Sequence, residues 1–327
     1  MELVPKRRLH LLSGRSHLGL ARDIADCLGV TLSDPNLVDF ANGEIRPRFA
    51  ESVRGADVFI VQTHCRANDQ SVNDSIIEQL TMLDAAKRAS AKRITAVCPY
   101  LGYSRQDRKS KGREPITARM ITDILAAAGA DRIMSVDLHS GQIQGFFNGP
   151  VDHLTAVPLL VEYLREHAGT DFVMVAPDTG RTKVAEQAAT HLDVDVASVY
   201  KRRAKDTVNA VQVVDVMGEV DGRMCVLIDD MIDTAGTIGA AAEILLDKGA
   251  TEVWAMATHA LLSGPAVDRL KNSPVTKVVV ADTLPLPPEK QIDKIEVLSV
   301  AKIFADAIDA VFEDASVSEI FGGENQT

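Results

Sequence analysis

The chain has 327 residues, 46% of them hydrophobic and only 4% aromatic, with a net charge of −11. That length makes one large α/β domain or two of ordinary size, and a core of Ala, Val, Leu and Ile suits parallel strands covered by helices, not a β-sandwich. The acidic balance lacks the basic face that a duplex nucleic-acid binder needs, and no apolar run reaches the roughly 18 residues of a membrane span.

Lys6, Arg7 and Arg8 precede an apolar run too short for a signal-peptide core. Residues 9–30, LHLLSGRSHLGLARDIADCLGV, predict a buried strand, a turn at Gly14 and Arg15, an amphipathic helix and a β-branched restart. FANGEI (40–45) is a turn between two strands. RGADVFIVQT, from Arg54, predicts another strand, followed by a loop (64–75), the helix IIEQLTMLDAAKR and the strand RITAVCPY. Arg105, Arg108, Lys109, Lys111 and Arg113 then crowd a loop at that strand's end, where α/β folds bind ligands. Asp137 and His139 close the strand RIMSVDLH.

The pattern then repeats. DFVMVAPDTGRTKVAEQAATHLDV (171–194) is again strand, turn at Gly180 and Arg181, and helix. DGRMCVLIDD, from Asp221, matches RGADVFIVQT, and the spacings Gly14 to Gly55 and Gly180 to Gly222 agree to within one position. The helix IGAAAEILLDKG and the strand TEVWAMATHA follow. Such alternation indicates an α/β protein with a doubly wound parallel sheet in each half. The boundary is expected at Gly149 and Pro150. A last helix after Ser299 lines up Val300, Ile303, Phe304, Ala307, Ile308, Val311 and Phe312. That stripe alone does not say which half it covers. The expected division is 1–149, joined by helix 300–321, and 150–299. Cys27, Cys65, Cys98 and Cys225 form no CxxC pair or zinc spacing, so free thiols in a reducing, cytoplasmic compartment are expected.

The halves differ at one loop. VLIDDMIDTAGT (226–237) predicts a buried strand ending at Ile228, with Asp229 and Asp230 at its carboxyl end and a helix start over Asp233–Thr237. Thr234, Ala235, Gly236 and Thr237 offer backbone N–H groups and hydroxyls to a phosphate, and Gly236 lets the backbone come close. Asp229 and Asp230 repel phosphate but suit vicinal hydroxyls, with or without Mg²⁺. A phosphate beside a diol describes ribose 5-phosphate. Elsewhere, Phe40 could stack on a base, and Asn42 and Glu44 could bond its edge.

The segment 226–237 resembles the phosphoribosyl-pyrophosphate loop of the type I phosphoribosyltransferase fold. FANGEI, YSRQDRK (103–109), GREPITAR (112–119), VDLHSGQIQGFF (136–147) and APDTGR (176–181) resemble ribose-phosphate pyrophosphokinases, in order, and the resemblance runs from Leu9 to Phe321. It implies two duplicated phosphoribosyltransferase-type domains. It also implies transfer of the pyrophosphoryl group of ATP to C1 of ribose 5-phosphate, giving phosphoribosyl pyrophosphate for nucleotide, histidine and tryptophan biosynthesis. By this resemblance Asn42, Gly43, Glu44, Arg105 and Gln106 join Phe40 at the ATP site. His139 and Asp178 hold Mg²⁺, and the catalytic loop begins at Lys201 and Arg203, the latter also at the ribose 5-phosphate. The family often has His-Gly-Gly after this aspartate, where Thr179, Gly180 and Arg181 stand, and prolines where Ala204, Lys205, Asp206 and Thr207 stand. A homohexamer with sites completed across subunit interfaces, phosphate activation and ADP inhibition is implied too. A transferase joining a base to the sugar would use the same loop without FANGEI or RQDR. A non-catalytic regulatory paralogue would be expected to lack Lys201, Arg203 or Asp229.

Overall fold

The computed structural model describes residues 8–203 and 212–323, and for 201–203 and 212–214 the backbone alone. Strand β1 (Leu9–Ser13) buries Leu11 and Leu12 completely. Helix α1 (Leu18–Leu28) turns Leu20, Ala21, Ile24 and Ala25 inward and stops at Gly29, whose φ of 66° lets its N–H reach back to the last carbonyls. After β2 (Leu32–Ser33) comes a small antiparallel hairpin, β3 (Val38–Asp39) and β4 (Ile45–Arg46). Strand β5 (Asp57–Val61) is buried throughout. Helix α2 (Val72–Arg88) begins inside the expected loop, because Ser71 and Asp74 form a capping box. Strand β6 (Arg93–Cys98), helix α3 (Thr117–Ala128), β7 (Arg132–Val136) and β8 (Val151–Leu154) follow. The sheet runs β2-β1-β5-β6-β7-β8, all parallel.

A second unit repeats the theme with helix α4 (Val157–His167), β9 (Phe172–Ala176), α5 (Thr182–Leu192), β10 (Asp195–Arg203) and β11 (Gln212–Met217). It continues through β12 (Met224–Ile232), α6 (Gly236–Asp247), β13 (Glu252–Ala260), α7 (Ala266–Asn272), β14 (Lys277–Ala281) and β15 (Ile295–Leu298). The order is β11-β10-β9-β12-β13-β14-β15, parallel except for the β10–β11 pair. The switch point of each sheet, where ligands bind in doubly wound folds, lies between β1 and β5 in one unit and between β9 and β12 in the other.

The first unit takes residues 8–155, 283–285 and 299–323, and the second takes 156–282 and 286–298. The expected division at Gly149 and Pro150 falls before β8, but that strand hydrogen-bonds to β7 and so stays with the first unit. Helix α8 (Ala301–Phe312) packs on α1 with Phe304, Ala307, Ile308 and Val311 inward, while Ile303 and Phe312 are half-buried. Among the described residues no helix is long and apolar enough to cross a membrane.

Candidate functional site

In the second unit β12 does not stop at Ile228. It pairs with β13 through Asp229↔Ala257 as far as Ile232↔Ala260, so Asp229 and Asp230 lie inside the strand. Both acids are largely buried. Arg181, in the turn after the adjacent strand β9, answers them. Its Nε lies 2.9 Å from Asp229 Oδ1 and its Nη2 lies 2.7 Å from Asp230 Oδ1. Burial and the neighbouring Asp230 push the Asp229 carboxyl up, to about 8, and Arg181 opposes the rise.

Beyond β12 the chain turns into α6 at Gly236. The left-handed residue of the turn is Ala235, with φ 58°. A non-glycine residue there stores about 1–3 kcal/mol of strain, which the surroundings must hold. They do so through Ser263 N–H, which donates to the Asp233 carbonyl, and Arg269 Nη1, which donates to the Thr234 carbonyl. At Gly236 a Cβ would make no more than ordinary contact, 3.4 Å from Arg269 Nη1. Thr234, Gly236 and Thr237 are exposed at the helix start, where first-turn amides point away from the helix toward an anion.

Asp178 is exposed and its Oδ1 accepts from Gly180 N–H at 2.8 Å. Lys201 and Arg203 close β10, in register with Val214 and Gln212 of β11. Ala204, Lys205, Asp206 and Thr207 lie outside the described residues.

In the first unit Phe40, Asn42, Gly43 and Glu44 form the exposed tip of the β3–β4 hairpin, with Gly43 at φ 89° and the Arg46 guanidinium 5.5 Å from the Phe40 ring. The hairpin's base is tied by Arg15. Its Nη1 and Nη2 donate to the two Asp39 oxygens, each at 2.7 Å, while its Nε and its backbone N–H donate to Glu78. Glu78 is fully buried and also accepts from Gln62 and Gln70. Arg105 and Gln106 are exposed in the loop after β6, and the Thr117 hydroxyl donates to Gln106. That loop meets the one carrying His139, because Ser140 Oγ donates to Asp107 at 2.7 Å.

Under the Arg105 loop His64 is completely buried. Gly102 N–H donates to its Nδ1, which places the ring proton on Nε2, facing Gln79 Oε1 at 2.8 Å. Burial holds this imidazole down, to about 4, so it stays neutral. Burial also pushes the Cys98 thiol up to about 12 and Cys225 to about 11, consistent with inert, unpaired thiols.

The expected metal residues offer one nitrogen and one carboxylate. Among the described residues no group of three or more His, Cys, Asp or Glu could hold an ion. Most of a cation's shell would therefore come from phosphate oxygens and water, which is how Mg²⁺ is bound. The sequence reading passed over Arg15, Asp39, Glu78, His64 and the pairing of Arg181. A signal existed for two of them, since an arginine recurs in the turn after the first strand of each half.

Residues 9–129 match the N-terminal domain of ribose phosphate pyrophosphokinase, and residues 206–322 match a phosphoribosyl synthetase-associated domain. Over 317 residues the chain is 52% identical to a ribose-phosphate pyrophosphokinase of Streptomyces avermitilis, covering 97% of each chain. It is 53% identical over 325 residues to one of Bifidobacterium longum, covering 98% of this chain and 94% of that one. The crystal structure of a phosphoribosylpyrophosphate synthetase from Mycobacterium smegmatis is similar at a TM-score of 0.88 and 48% identity, covering 94% of this chain and 100% of that one.

Proposed function

The chain belongs to the ribose-phosphate pyrophosphokinase family, and from that premise we infer how its residues share the work. The reaction moves the pyrophosphoryl group of ATP onto the C1 hydroxyl of ribose 5-phosphate, releasing AMP. The assignment of sites is our proposal. Asp229 and Asp230 accept hydrogen bonds from the ribose hydroxyls, and Asp233, Thr234, Ala235, Gly236 and Thr237 hold the 5-phosphate at the start of α6. Phe40, Asn42, Gly43, Glu44, Arg105 and Gln106 take ATP. The observation that carries this reading is the strained turn at Ala235, which starts a helix a few residues after two largely buried acids on β12.

His139 and Asp178 are the residues that would hold Mg²⁺, whose part is to neutralise triphosphate charge. The chain's own share is positioning and charge. Two bound substrates bring the C1 oxygen in line with the β-phosphorus. Lys201 and Arg203 then meet the charge that grows on the phosphate oxygens as AMP departs, and that interaction is stronger in the transition state than before it. No covalent intermediate on the protein is required. A homohexamer in the cytoplasm, activated by phosphate and inhibited by ADP, completes the proposal, and the exposed basic stretch from Arg105 to Arg113 supports a regulatory anion.

Purified protein with ATP, Mg²⁺ and ribose 5-phosphate, and no base, is expected to form AMP and phosphoribosyl pyrophosphate in equal amounts. Consumption of phosphoribosyl pyrophosphate with a base, and no AMP from ATP, would overturn the reading.

A further inference from the structure

Strands β9 and β12 are neighbours, with Met174 opposite Val226 and Val175 opposite Leu227. The short turn after β9 is pinned by Asp178, which accepts from Gly180 N–H, and the next side chain reaches the acids of β12. That side chain is Arg181, and its guanidinium is only 15% exposed. A guanidinium beside one carboxylate usually grips both oxygens of that group. Here it does something else. Nε goes to Asp229 Oδ1 and Nη2 goes to Asp230 Oδ1.

Consecutive residues of a strand point to opposite faces, and adjacent buried carboxylates repel. The Asp230 backbone N–H donates to Asp229 Oδ1 at 2.8 Å and fixes the first acid, and the Arg181 fork is what spans both. A rigid planar fork fixes the distance between its two acceptors, which an ammonium on a flexible stem does not. The ribose hydroxyls are likewise two donors at a fixed spacing.

We infer that Arg181 is a positioning residue of the sugar subsite, spacing the Asp229 and Asp230 carboxylates so that they match the vicinal hydroxyls of the ribose. The inference rests on the reading that these acids take the ribose diol. It makes Arg181 a determinant of sugar specificity, although it need touch no reacting atom. The Thr-Gly-Arg sequence after Asp178 thereby gains a task of its own.

The test compares ribose 5-phosphate with 2-deoxyribose 5-phosphate, which lacks one of the two hydroxyls. Arg181→Gln is expected to raise KM for ribose 5-phosphate about tenfold, the size of one charge-assisted hydrogen bond, while KM for ATP holds. The preference for ribose over 2-deoxyribose should fall by about the same factor, which a general loosening of the fold would not produce. Arg181→Lys keeps the charge without the fork, and should fold while recovering only part of the preference. Asp229→Asn is measured beside them. If Asp229→Asn collapses the preference and Arg181→Gln leaves it intact, the inference fails and the diol reading stands. If neither variant moves it, both fall. Full recovery by Arg181→Lys would also overturn the inference, because charge alone would then suffice.

Discussion

Both units place an arginine in the turn after their first buried strand, Arg15 after β1 and Arg181 after β9, and each finds two acids. The acids differ in kind. Arg15 meets Glu78, fully buried on α2, and Asp39 at the base of the β3–β4 hairpin. Arg181 meets two acids within the adjacent strand β12. The repeat shows why. Seven residues after Gly222 stand Asp229 and Asp230, and seven after Gly55 stand Gln62 and Thr63. The neutral pair is spent internally. Gln62 accepts from Ser16 and donates to Glu78 and Ser75, and Thr63 donates to the Thr283 carbonyl. One copy of the fold sets a guanidinium against two acids at its switch point, while the other fills it with neutral side chains bonded to one another. The strands beside the switch point diverge too, since β10 runs nine residues where β2 runs two. Lys201 and Arg203 ride on the extra length.

The largest test removes what only the second unit has. Lys201→Ala is expected to lower kcat by roughly 10²–10³-fold, the cost of one preorganised charge-stabilising donor, with both KM values and the melting temperature nearly unchanged. A raised KM at constant kcat would make Lys201 a uniform binder and erase this contrast between the units.

His64 tests the filled interior of the first unit. Its folded pKa is near 4, below the ordinary 6.5, so the unfolded chain takes the proton first as the pH drops. The stabilisation is therefore complete above about 6.5 and is lost on the way down to about 4, a total of about 3 kcal/mol. Acid titration of unfolding should be visibly flatter in His64→Asn over that window. An unchanged slope would place the acid sensitivity elsewhere.

The two glycines of the repeat make a paired test. A Cβ at Gly14 would sit 2.3 Å from Gln62 Oε1, which is locked by four hydrogen bonds, whereas a Cβ at Gly180 meets only Asp178 Oδ1, at 3.0 Å. Gly14→Ala should cost about 2 kcal/mol in denaturant unfolding, and Gly180→Ala less than about 1 kcal/mol. Equal costs would mean that the two switch points are equally packed.

The smallest effect concerns the hairpin. The Arg15–Asp39 pair is half-exposed, so Arg15→Met should raise KM for ATP only about threefold and leave ribose 5-phosphate alone. A rise for both substrates would separate the hairpin from the nucleotide.

Much of this was legible along the chain, because strand–helix alternation, glycine turns and the acid-rich loop are local patterns with local causes. Composition and periodicity indicated parallel sheets, and the motif order indicated the family and its reaction. Other features needed partners far away in sequence. Strand β12 runs through its acids because β13 continues to pair with it. Ala235 keeps its positive φ where Arg269 and Ser263 hold the loop's carbonyls. Strand β8 falls on the near side of the boundary because β7 offers it an edge.

The sequence by itself determined which elements form, that they are duplicated, and which half carries the paired acids and the Thr-Ala-Gly-Thr turn, since hydrophobic period and turn chemistry act over a few residues. Only the tertiary structure decided which strands lie side by side. That adjacency turned the same turn arginine into a hairpin anchor in one unit and a carboxylate spacer in the other, because a charge about 3 Å away outweighs one nearer in sequence but farther in space.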